Sequence, residues 1–196
     1  MIFKTTPFAH QLSEFEAHGL DASRALFWEQ GTGKTKEVLD QARLLREAGK
    51  VDAVLVLAPN GVHRNWVSDE IPAHVPDDVP IWPKIWRGAS AGSKWHVREM
   101  ATLLGAQFPF LAMSYDSFMT TRGREFAKKF LAARKVFYVL DESARIKSPS
   151  AKRTRAVVLS GKHAEYKRIL TGTPVANGPF DVYSQLKFLD AEFWTS

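Results

Sequence analysis

The chain has 196 residues, 45% of them hydrophobic and 24% charged, so one globular domain, residues 1–196, with its own core is expected. It has no cysteine, which excludes disulfides, thiolate-bound zinc and thiol nucleophiles, and it carries a net charge of +6, which favours acidic partners such as nucleic acid. Apolar runs such as 53–59 are too short to cross a bilayer and the first residues lack a secretion signal, so a cytoplasmic, nucleoid-associated protein with no membrane partner is expected.

Elements of strand and helix length then alternate along the chain. Residues 8–17 read as a short helix, 24–28 as an apolar strand, and 34–48 as a helix with Val38, Leu39, Ala42 and Leu45 on one stripe. Next come a strand at 51–59, a helix at 62–74, a proline-rich surface loop at 74–84 and a short strand at 81–87. A helix at 93–104, a strand at 109–115, a helix at 122–134 and a strand at 135–141 follow. The chain ends with a helix at 151–159, a strand at 166–171 and a helix at 180–189. Runs such as Val54-Leu55-Val56-Leu57 and Val136 to Leu140 are apolar on both faces, as strands of a parallel sheet covered on both sides are. The expected fold is α/β, with a mostly parallel central sheet between helices.

Gly31-Thr32-Gly33-Lys34-Thr35 follows the first strand and opens a helix. The glycines permit a tight turn, backbone N–H groups and the helix N-terminus face phosphate oxygens, Lys34 reaches the outer phosphates, and the Thr35 hydroxyl ligates Mg²⁺. A P-loop for ATP is therefore expected over Glu29, Gln30, Gly31, Thr32, Gly33, Lys34 and Thr35. Six positions before Lys34, where the general pattern wants a small residue, stands Trp28, so the loop entrance differs or the indole turns away. The strand ending at Asp141-Glu142 places two carboxylates at the ligand-binding edge of a parallel sheet. Asp141 is expected to hold Mg²⁺ and Glu142 to act as general base on the attacking water, with Lys34 as the second catalytic residue. Eight of the 24 residues from Arg145 to Arg168 are Lys or Arg, against one acid, which suits a phosphate backbone.

Taken together, these residues resemble the first RecA-like lobe of superfamily-two helicases, most closely the Swi/Snf-type translocases of double-stranded DNA. Pro7 to Gln11 resembles the segment whose glutamine reads adenine, so Gln11 joins the ATP site. Val54 to Pro59 with Asn65-Trp66 resembles motif Ia, and Met113 to Asp116 resembles the segment that touches the tracked strand. Asp141 to Pro149, with Ser150, Lys152 and Arg155, resembles motif II and its basic extension, and Leu170 to Pro174 with Asn177 resembles motif III. Phe188 to Asp190 with Phe193-Trp194 resembles the segment beyond it.

The resemblance implies a three-layer RecA-like P-loop NTPase domain with ATP and Mg²⁺ as cofactors. It implies nucleic-acid contacts at Pro59, Asn60, Ser114, Tyr115, Lys147, Lys152, Arg153 and Arg155, and coupling by Thr171 and Thr173. It also implies a second RecA-like lobe supplied outside this chain, since only residues 175–196 follow motif III. Motif II has Ala144 where His or Asp is usual, so its coupling to motif III is expected to be altered, and Ala176 stands where glutamine is frequent. Two alternatives stay open: a nucleotide- and nucleic-acid-binding module with weakened hydrolysis coupling, and an RNA helicase lobe. A small-molecule kinase leaves the Thr171 to Pro174 turn and the basic run unexplained. Trp66 is the tryptophan singled out as a base-stacking surface.

Overall fold

The computed structural model describes residues 3–175 and 178–192, so Ala176, Asn177 and Phe193-Trp194 lie outside the described residues. Helix α1 (Ala9–His18) leads into β1 (Ser23–Leu26), and α2 (Lys34–Glu47) into β2 (Ala53–Ala58). A continuous helical segment follows: α3 (Val62–Asn65), a π-helical turn (Trp66–Glu70) and α4 (Ile71–His74). Then come β3 (Ile81–Ile85), α5 (Lys94–Gly105), β4 (Phe108–Ser114), α6 (Tyr115–Met119) and α7 (Thr121–Ala133). The remainder is β5 (Val136–Asp141), α8 (Lys152–Gly161), β6 (Tyr166–Leu170) and α9 (Tyr183–Leu189).

Six strands form one sheet in the order β1-β6-β5-β2-β4-β3, and every pairing among them is parallel. Alternate residues of the central strands enter opposite cores, as the period of two in a strand requires. Ala53, Leu55 and Leu57 of β2 join Tyr138 and Leu140 under α5, α7, α8 and α9. Val54, Val56 and Ala58 join Phe137 and Val139 under α2 and the π-containing segment. These are the helix, sheet and helix layers expected from the sequence, with the sheet wholly parallel.

Register aligns the strand ends that matter. Leu26 of β1 and Asp141 of β5 both pair with Leu170 of β6, and Ala58 of β2 pairs with Ser114 of β4. The residues just past these five strands therefore share one edge of the sheet, the carboxyl edge where open α/β folds bind ligands.

Candidate nucleotide and nucleic-acid site

The phosphate loop leaves β1 and enters α2 through two glycines in the left-handed region, Gly31 at φ 78° and Gly33 at φ 76°. A side chain at Gly33 would be strained in φ and would crowd the Gln11 amide, so glycine suits the position. Gln11 is buried and braces the loop: its Nε2 donates to the Gly33 carbonyl at 2.9 Å, and its Oε1 accepts from the Phe8 N–H at 2.8 Å. Thr32 closes the loop from within, its Oγ1 donating to the Glu29 carbonyl at 2.7 Å. Lys34 extends along the loop, its Nζ donating to the carbonyls of Trp28 and Glu29 at 2.9 and 2.8 Å. Thr35 is half-buried in the first turn of α2, and Glu29 and Gln30 face solvent.

The Trp28 indole does turn aside. It meets the His10 ring edge-on at 5.0 Å, and His10 in turn stacks on Phe8 and reaches the Thr32 carbonyl with Nε2 at 3.0 Å. The bulky entrance residue is thus absorbed by an aromatic ladder from the start of α1.

Asp141 ends β5 with its side chain almost fully buried. Its Oδ2 accepts from the Trp66 Nε1–H at 2.9 Å, and its carbonyl accepts from the Tyr115 hydroxyl at 2.9 Å. Burial lifts the carboxyl to about 6, and the Trp66 hydrogen bond and the Lys34 charge hold it from going higher. Glu142 stands at φ 50°, the one non-glycine residue with positive φ among the described residues, a conformation that tends to mark functional positions. This bend turns Glu142 toward β6, where its Oε2 accepts from the Thr171 hydroxyl at 3.2 Å. Thr171 is fully buried and also accepts the Thr173 N–H at 3.2 Å, while Thr173 itself is exposed.

A second link joins the same two segments. Ser143 Oγ donates to Gln185 Oε1 at 2.7 Å, and Gln185 Nε2 donates to the carbonyls of Pro174 and Asp181 at 3.0 and 2.8 Å. All of this polar traffic bypasses Ala144, whose methyl group has nothing to donate. Gln185 carries no local sequence signal; only its place on α9, packed beside β6, brings it here.

The loop, Lys34, Thr35 and Asp141 fit ATP with Mg²⁺. Mg²⁺ is commonly held by one or two oxygen side chains, the phosphates and water. Asp141 keeps one oxygen beyond its Trp66 bond, and Lys34 is close enough to bias its charge.

The proposed nucleic-acid residues divide. Asn60 is exposed just past β2 and Pro59 half-exposed, whereas Ser114 and Tyr115 are each 2% exposed. Ser114 Oγ caps α6 by accepting the Ser117 N–H, and Tyr115 reaches Asp141, so both side chains face inward. Trp66, at 1% exposure, is a carboxylate donor and not a stacking surface. Within the basic run, Lys167 and Arg168 are buried in β6, so the run is not one continuous face. Lys152 and Arg155 are exposed with no ion pair among the described residues, while Arg153 pairs with Asp116 and Lys147 lies 3.8 Å from Asp181. No helix among the described residues is long and apolar enough to cross a membrane.

Comparison with known proteins bears on this edge. A family model described as "SNF2-related domain" matches residues 20–196. The chromatin-remodeling ATPase INO80 of Mycosarcoma maydis is 27% identical over 191 residues, which cover 91% of the chain and 10% of that protein. The human helicase-like transcription factor is 28% identical over 146 residues, 71% of the chain and 14% of that protein. The chain therefore spans a small part of the curated relatives it matches. Among solved structures, the Sulfolobus solfataricus SWI2/SNF2 ATPase core in complex with dsDNA superposes with a TM-score of 0.71 at 21% identity, over 96% of this chain and 36% of that one.

Proposed function

This chain belongs to the SNF2-related domain family, and from that premise we propose that it is the ATP-binding lobe of a DNA-dependent ATPase that moves along double-stranded DNA when a second RecA-like lobe closes the site. The observation that carries the reading is the convergence at one sheet edge of Lys34, Asp141, Glu142 and Thr171, with exposed Asn60 just past β2 and exposed Lys152 and Arg155 at the start of α8. The relatives named as ATPases and the dsDNA bound to the structural neighbour support it.

Bound ATP with Mg²⁺ supplies the phosphoryl group and the divalent charge. For that, Lys34 leaves the Trp28 and Glu29 carbonyls and neutralises the outer phosphates, while the loop N–H groups hold their oxygens. Thr35 and the Asp141 carboxylate would hold the metal, and Gln11 would tie the base to the loop it braces. Glu142 takes the proton of the attacking water, and the Thr171 hydroxyl reports its state to the 171–174 turn. The Ser143–Gln185–Pro174 chain serves the coupling that Ala144 cannot. The Thr171–Glu142 bond favours this reading over a binding module with coupling lost.

In P-loop enzymes of this kind a partner arginine contributes roughly 10³–10⁵ in rate. The isolated chain is therefore expected to bind Mg·ATP weakly and to hydrolyse it very slowly, and Lys34→Ala is expected to abolish the binding. Titration with a fluorescent ATP analogue and a phosphate-release assay, with and without duplex DNA, test this. Binding indifferent to Lys34 sinks the ATP site, and rapid DNA-stimulated turnover by this chain alone sinks the half-site. Tighter binding to RNA than to DNA duplexes identifies an RNA helicase lobe instead.

A further inference from the structure

We infer that Asp116 is a built-in phosphate mimic: its carboxylate sits, between Asn60 and Arg153, in the place that a backbone phosphate of the bound nucleic acid takes over. The inference rests on the nucleic-acid reading above and adds a competitor to it.

Three separate parts of the chain meet here. Asn60 follows β2, Asp116 opens α6 and Arg153 lies in the first turn of α8. Asn60 Nδ2 donates to Asp116 Oδ2 at 2.6 Å, and Arg153 Nη2 donates to Oδ1. With Pro59, Tyr115 and Arg145 they line a recess of about 120 Å³ on the carboxyl edge of the sheet. An amide and a guanidinium converging on one anion make a charge-assisted site that suits carboxylate and phosphate alike.

Two observations say that the carboxylate is a stand-in and not the final occupant. The recess holds two arginines and one acid, and the Arg145 side chain is exposed with no ion pair among the described residues, so one positive charge is left over. The Arg153 Nε–H is shielded from water and has no acceptor among the described residues, so Asp116 satisfies the guanidinium only in part. A phosphate brings more acceptor oxygens than Asp116 offers. The carboxylate is also easily displaced, because its side chain is 57% exposed and exposed ion pairs contribute little. Until then Asp116 keeps Asn60 and Arg153 aligned on the recess and lowers the affinity for any anion that enters.

The test is Asp116→Asn, which keeps an acceptor for Asn60 and removes the charge, in titrations of a short fluorescent DNA duplex at several salt concentrations. Binding is expected to tighten by about threefold to tenfold, with the slope of log K against log salt steeper by about one. In an Arg153→Ala background the gain is expected to vanish, because Asp116 acts through that arginine. Asp116→Ser, with its own small acceptor, gives the same readout should the Asn variant fold poorly. An unchanged affinity in Asp116→Asn, or the same gain with and without Arg153, overturns the inference. If the wild type binds the duplex and loses it on charge reversal at Lys152 and Arg155 while Asp116→Asn changes nothing, this inference alone falls. If the wild type shows no salt-dependent duplex binding, the nucleic-acid reading falls and takes the inference with it.

Discussion

Glu37 shows how burial sets a charge state that its residue type does not reveal. It lies in the first turn of α2 at 1% exposure, its Oε1 accepting from Gln41 Nε2 at 2.6 Å, and Gln41 Oε1 accepts from Arg168 Nε at 2.6 Å. Burial lifts its carboxyl from 4.5 to about 7, with the Gln41 hydrogen bond opposing and the Asp40 charge adding to the rise. The unfolded chain releases this proton near 4.5 and the fold holds it to about 7, so the folded state binds more protons between those values. Stability from this group is therefore full below the lower value and is lost as pH rises through the upper one. Glu37→Gln is expected to make the stability–pH curve shallower across that window and to gain about 1–3 kcal/mol above it. Urea denaturation at both ends of the window checks this. Trp66 is the other residue whose role is tertiary. Trp66→Phe leaves Asp141 Oδ2 without its indole donor and is expected to cost about 1–3 kcal/mol in the same assay.

At the scale of elements, the strands were legible to within a residue or two, and most plainly β2, β4 and β5, because largely apolar runs bounded by polar loops have one reading in a parallel sheet. The helix expected at 62–74 exists but is not regular. Five residues, Trp66–Glu70, form a π turn, and Pro72 sits in the following α4. The extra residue lets Trp66, Ile71 and Val75 all enter the core beside α2 while Trp66 still reaches Asp141. The spacing of five from Trp66 to Ile71 does not fit a 3.6-residue period, so sequence periodicity held no sign of the turn. Deleting Ser68 removes that extra residue and is expected to close the turn into regular α-helix with Ile71 and Val75 still on the core face, at a cost below about 1 kcal/mol in thermal and urea melts. Helix α6, only five residues long, was also hidden in the sequence. It is set by the Ser114 cap and by burial of Phe118.

For the whole molecule, strand order determines what stands beside what. The β1-β6-β5 half of the edge carries the phosphate loop, Thr171 and the acid pair, and the β2-β4 half carries Asn60 and Asp116. Nucleotide and nucleic acid are thereby proposed for adjoining halves of one edge. Of the basic run, only outward-facing and unpaired side chains are free for phosphates, foremost Lys152 and Arg155. Reversing both to Glu is expected to weaken duplex binding about equally for all sequences and to reduce the salt slope by about two. Duplex titrations across a salt series check it, and an unchanged slope marks the face as merely solvated.

The sequence by itself determined the phosphate loop, the acid pair and the order of strands and helices, because each is written in neighbouring residues whose local conformations are coupled. Only the tertiary structure decided that Trp66 holds Asp141, that Gln185 joins Ser143 to Pro174, that Ser114 and Tyr115 face inward, and that Asp116 occupies the Arg153 recess. Those contacts join residues 11 to 75 positions apart or turn on which strand lies next to which. No local pattern encodes such pairings, since they arise when the sheet closes and burial leaves each polar group to find a partner from another element.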